Sequence, residues 1–172
     1  PNSHYKAKEF RDGLSKTLMV SEVKAFTPYV RNTSDPGSTY PAGSPPSNDS
    51  QLASLAGGGE NKLGTTTNKN TGHTEWPDGR VHHNGFTATF TPNTVVEFPV
   101  SGDPYDIDYN SQQEGKSATQ KTFAAITSRS YHNGVVNTGM IDGSIRKITN
   151  DISLRIWRGL STRDGGEVAN PP

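Results

Sequence analysis

Val135-Val136-Asn137-Thr138-Gly139-Met140-Ile141, then Asp142-Gly143, then Ser144-Ile145-Arg146-Lys147-Ile148 is the stretch on which the reading of the fold turns. Two runs rich in β-branched residues flank a dipeptide that accepts positive φ angles. That pattern spells a β-hairpin, with a type I′ turn whose twist suits the strands on either side. Asn150-Asp151 comes next as an N-cap, and Leu154, Trp157 and Leu160 recur three residues apart, the spacing of a short amphipathic helix. Gly165-Gly166 stops any continuation. A hairpin that feeds a short C-terminal helix points to an α+β fold, mainly antiparallel sheet.

Upstream, Leu18 to Val23 reads as a strand, with Leu18, Val20 and Glu22 on one face and Met19, Ser21 and Val23 on the other. A short helix over Ser15 to Glu22 fits as well. Arg80 to His83 and Phe86 to Thr91 alternate as strands do, and Thr94 to Val100 and Lys121 to Ser128 complete the set, with Pro99 favouring an edge. Two polar stretches, 31–75 and 101–120, read as long insertions in a single domain over 1–172. The first carries Asp35-Pro36-Gly37, Pro45-Pro46 and Gly57-Gly58-Gly59, with room for a helical turn over Ser50 to Ala56. Asn32-Thr33-Ser34 and Asn48-Asp49-Ser50 match the glycosylation acceptor pattern, but are read as solvated turn residues.

Composition narrows the function. The apolar share is 29%, against roughly 45–50% in ordinary domains when Gly is included. Much of the chain must therefore be loop or interface. Lys plus Arg and Asp plus Glu balance at 17 each, which argues against a nucleic-acid binder and against a polybasic membrane-surface protein. There is no cysteine, so disulfides and thiolate zinc sites are excluded. No run reaches the ~18 apolar residues of a membrane helix, so the expectation is no membrane contact by this fragment itself.

Candidate ligand sets are few. Asp106-Ile107-Asp108-Tyr109-Asn110, with Asp103 and Glu114 nearby, offers hard oxygens at alternate positions, suited either to Ca²⁺ or to a solvated acidic turn. Ser111 and Ser117 stand where an EF-hand needs Gly and an acid. His73, Glu75, His82 and His83 form the histidine cluster, though a strand there would send His82 and His83 to opposite faces. No nucleophile elbow, P-loop or dinucleotide fingerprint occurs, and the expectation is that the chain is not an enzyme. His132 and Asp142-Gly143 are separated by nine residues. On an extended strand that places them roughly 30 Å apart, too far to act as a pair.

Several stretches, taken together and in order, resemble a large bacterial family of pilin-like proteins with a C-terminal H-x9-D-G processing-associated domain. They are Arg11-Asp12-Gly13-Leu14-Ser15-Lys16-Thr17-Leu18-Met19-Val20-Ser21-Glu22, Thr71-Gly72-His73-Thr74-Glu75-Trp76 with Gly85-Phe86-Thr87, Thr127-Ser128-Arg129-Ser130-Tyr131-His132, Met140-Ile141-Asp142-Gly143-Ser144-Ile145, and Trp157-Arg158-Gly159-Leu160-Ser161-Thr162-Arg163 with Gly165-Gly166-Glu167-Val168. The family often has His-Pro-Gly-Gly where this chain has His132-Asn133-Gly134-Val135. The resemblance implies a signature of His132, Asp142 and Gly143. It also implies a prepilin leader and a long apolar N-terminal helix that anchors the precursor in the inner membrane. Pro1 would then lie well inside such a precursor, with the helix removed or supplied by another chain. The function implied is that of a structural subunit, a pilin or pseudopilin ectodomain of an extracellular or cell-surface filament. Its partners would be neighbouring pilin subunits, and the missing helix would complete its core. The alternative is an extracellular binding module that recognises glycans or a protein partner through its long loops, marked by exposed aromatics around Tyr40, Trp76 or Tyr105. A secreted hydrolase is the third class.

Overall fold

The structure is a computed structural model, and it describes residues 4–33, 46, 48–66, 69–112, 116–119 and 122–166. The strands and helices are β1 (Leu18–Ser21), β2 (Tyr29–Arg31), α1 (Asp49–Ala56), β3 (Glu60–Lys62), α2 (Val81–Asn84), β4 (Glu97–Val100), β5 (Asp103–Asp106), β6 (Asp108–Asn110), β7 (Ala124–Ala125), β8 (Val135–Met140), β9 (Ile145–Thr149) and α3 (Leu154–Gly159). They form three sheets, ordered β1-β8-β9, β3-β2-β6-β7 and β4-β5. Every strand pair is antiparallel except β2 with β6. The α+β class with mostly antiparallel sheet is as the sequence implies.

The hairpin is β8-β9, but its turn is not type I′. Met140 N–H donates to Ser144 O (2.9 Å) and Gly143 N–H to Met140 O (3.0 Å). Asp142 keeps a negative φ while Gly143 takes +83°. Three residues therefore close the strands, with glycine alone in the left-handed position. Alternate residues of β8 (Val136, Thr138 and Met140) are buried. Val136 and Met140 meet Ile148, Trp157 and Leu160 in one hydrophobic cluster, which α3 covers from a single face of the sheet. The α3 N-cap is Ser153. Asn150 instead accepts Asn93 Nδ2 at 2.7 Å through its side chain.

Several local expectations change, while the helical turn expected over Ser50 to Ala56 is present as α1. Segment 101–120 is no mere insertion: it carries β5 and β6, and Ile107 to Ser111 are all buried. Segment 31–75 likewise supplies α1, capped by Asn48 accepting Gln51 N–H (2.9 Å), which puts Leu52 and Ala56 into a second cluster with Val30, Phe90, Val96 and Ile107. Val81–Asn84 is a helical turn rather than a strand. Four alternating residues do not separate the two periods. Phe86 to Thr91 makes only an isolated bridge, Thr87 with Thr127, and the predicted strand over 121–128 shrinks to β7.

Both clusters gather buried apolar side chains of the described residues, with partly buried ones packed around them. Large apolar side chains nonetheless stand in surplus on the surface, Met19, Val20, Phe26, Trp76 and Ile145 among them. Among the described residues no helix is long and apolar enough to cross a membrane.

Candidate interaction surface and histidine cluster

The surplus has an address. Register pairs Val20 with Gly139 and Gly139 with Ile145, so the three residues form one row across β1, β8 and β9. The row lies on the sheet face away from α3, where Val20 is 54% and Ile145 80% exposed. A register shift between Leu18 and Val20 breaks the expected alternation, so that Met19 and Val20 are both exposed. Gly139 has no side chain to fill the middle of the row. A Cβ there would stand 2.9 Å from Val20 Cγ2, closer than packed carbons approach. The result is a shallow trough of about 300 Å³ bounded by Val20, Glu22, Asn137, Gly139 and Ile145. Two further depressions continue it. One of about 280 Å³ lies between Met19, Val23 and Phe86. The other, of about 250 Å³, lies between Val23, Ala25, His73, Trp76 and His83.

His132 and Asp142 lie near the two ends of β8. His132 Nε2 stands 3.3 Å from Glu22 Oε1. Glu22 also accepts the Asn137 amide (2.8 Å) and Asn137 Nδ2 (2.9 Å). Burial works to raise the Glu22 carboxyl, but the Asn137 bonds and His132 outweigh it and hold it below its usual value. At the other end Asp142 Oδ1 accepts Ser144 N–H (2.9 Å) and Ser144 Oγ (2.6 Å), while the backbone N–H groups of Ile141 and Asp142 donate to Thr17 O and Leu14 O.

A buried polar cluster lies around β6. Arg129, 3% exposed, grips Asp106 with two bonds, Nε to Oδ2 (3.2 Å) and Nη2 to Oδ1 (2.8 Å), and directs Nη1 at Asp108 Oδ1. Thr127 N–H donates to the same Asp108 oxygen (3.0 Å), and His73 Nε2 stands 3.7 Å from Oδ2. Burial would raise the Asp108 carboxyl, but Arg129, His73 and Thr127 overcome it and keep it below the ordinary value of 3.8. Of the oxygens considered for Ca²⁺, Asp106 and Asp108 thus converge on a guanidinium, with which a cation would compete. Asn110 is buried with Nδ2 3.1 Å from His82 Nδ1. Asp103 lies exposed on β5, and Glu114 falls outside the described residues.

The three histidines divide. His73, His82 and His83 are all buried, and the rings of His82 and His83 are 4.3 Å apart because the helical turn sets them side by side. His82 packs against Tyr29 (4.9 Å), and His73 Nδ1 meets His83 O (3.2 Å). His83 faces Glu75 and Asp78. Burial lowers its pKa. Arg129 is the charge partner that sequence reasoning misses. Its signal is a lone arginine between buried serines, opposite an acid-x-acid pair. Tyr40 lies outside the described residues, Tyr105 packs against the cluster of Val30, Leu52 and Ile107, and Trp76 is 80% exposed.

A family model described as a protein of unknown function (DUF1559) matches residues 1–155. No curated protein and no solved structure matches the chain.

Proposed function

The chain belongs to the family of proteins of unknown function DUF1559, and on that premise we propose that it is a structural subunit, a pilin-like or pseudopilin-like ectodomain of an extracellular or cell-surface filament. The carrying observation is the apolar row Val20–Gly139–Ile145 on the open face of the β1-β8-β9 sheet. A sheet buries its faces against other elements. α3 covers one face, and the other presents a trough whose floor is glycine and whose rims are Val20 and Ile145. A helix ridge fits such a trough. The occupant we assign is the apolar helix of a pilin subunit, from an upstream segment of the same precursor or from a neighbour. The sequence motifs of the pilin-like resemblance support this reading independently of the surface.

The test is incorporation. Val20→Asp with Ile145→Asp places two charges on the trough rims, at positions where substitution costs about 1 kcal/mol or less in fold stability. The folded variant should fail to appear in surface filaments. Normal incorporation would overturn the assignment.

One observation favours a second reading, a binding module: Trp76 stands out from the surface beside the depression lined by His73 and His83. Glycan titration monitored by Trp76 fluorescence decides it. Saturable quenching supports a module, and none argues against it.

A further inference from the structure

We propose that Glu75, Asp78 and His83 form a binding site for a divalent first-row cation, Zn²⁺ foremost. One ligand atom from each of the three lies within 4.8 Å of the others. The donor set, one imidazole nitrogen and two carboxylate oxygens, is of the kind that holds zinc with an open fourth position.

The second observation is His83 itself. Its side chain is 2% exposed, and Nε2 points at Glu75 Oε2 across 3.7 Å, beyond hydrogen-bond length. Nδ1 is buried without a partner. The ring is thus almost wholly buried, yet Nε2 faces the Glu75 and Asp78 carboxylates without a contact of hydrogen-bond length. A cation placed between Nε2 and the carboxylates would satisfy Nε2 and both acids, with Nδ1 left as the ring's inner nitrogen.

The loop is built to hold the ligands. Asn84 Nδ2 donates to Trp76 O (2.8 Å), and Asp78 N–H donates to Glu75 O (3.0 Å). The approach needed is small. Tetrahedral bonds of about 2.1 Å set ligand atoms about 3.4 Å apart, so they converge by roughly an ångström or more, which the exposed Glu75 side chain can provide.

One group opposes the cation. Arg80 Nη1 holds Asp78 Oδ2 at 2.7 Å, and Arg80 N–H donates to Asp78 Oδ1. Arg80 and the cation therefore compete for Asp78. Three protein ligands leave one position for water. His83 also lines the depression beside Trp76, so cation binding alters the surroundings of that indole. This site does not depend on the filament reading.

The experiment is equilibrium dialysis of the folded chain against ZnCl₂, with Ca²⁺ as the comparison ion, alongside E75Q, D78N and R80A. Glu75→Gln and Asp78→Asn keep shape, and circular dichroism checks the fold. The expected result is one Zn²⁺ per chain, bound in preference to Ca²⁺, with affinity reduced more than about tenfold in E75Q and in D78N and at least unchanged in R80A. Binding by the exposed His132 or His4 alone would survive E75Q. No saturable binding, equal binding in E75Q, or weaker binding in R80A overturns the site.

Discussion

Replacing Arg129 with Leu leaves the Asp108 carboxylate buried with its main partner gone. Removing one member of a buried pair costs about 3–5 kcal/mol, so Arg129→Leu should lower the unfolding free energy measured in urea by that much at neutral pH. The deficit should shrink as pH falls and Asp108 is neutralised. In the wild type the sign is set by the depressed carboxyl. Its contribution is complete above the ordinary value of 3.8 and is lost as pH falls through the lower folded value. Stability measured from about pH 5 down to about pH 2 should therefore decline in the wild type and change less in Asp108→Asn. The half-exposed His132–Glu22 pair is different: His132→Ala should cost about 1 kcal/mol or less. The acid-x-acid motif is legible in the sequence as a candidate site, but its cation is not, because Arg129 lies on a segment remote in sequence from β5 and β6.

Elements whose determinants are local are the most legible. The β8-β9 hairpin and α3 follow from short-range pattern, and both form where the sequence places them. The turn type differs from expectation because Asp-Gly suits two loop geometries, and the choice depends on where Met140 and Ser144 pair. Gly143 at +83° is the position that matters, so Gly143→Val should destabilise by about 1–2 kcal/mol. Asn48→Ala should cost about 1 kcal/mol through loss of the α1 cap. Both are measurable by thermal unfolding. The illegible part is non-local. The parallel β2–β6 pair brings together segments separated by two helices and three strands, and no period within either run announces it. Segments 31–75 and 101–120 look like insertions because their strands are short and polar, yet Tyr29, Val30 and Tyr109 bury fully where those strands meet.

At the scale of the molecule, the low apolar content still yields a hydrophobic core. Two small clusters form, and several large apolar side chains, Met19, Val20, Phe26, Trp76 and Ile145 among them, are more than half exposed. Val20, Gly139 and Ile145 give that surplus a direction, a row across one sheet with its other face covered by α3. Gly139→Val should fill the trough and clash with Val20, so that assembly is weakened more than folding. The most direct test of the structural-subunit account is negative-stain microscopy, with intact-mass analysis, of material sheared from the surface of cells that carry this chain. The account predicts filaments that contain the chain, and their loss when Val20 and Ile145 are both changed to Asp. A chain recovered only as a monodisperse monomer, with no filament, would contradict it.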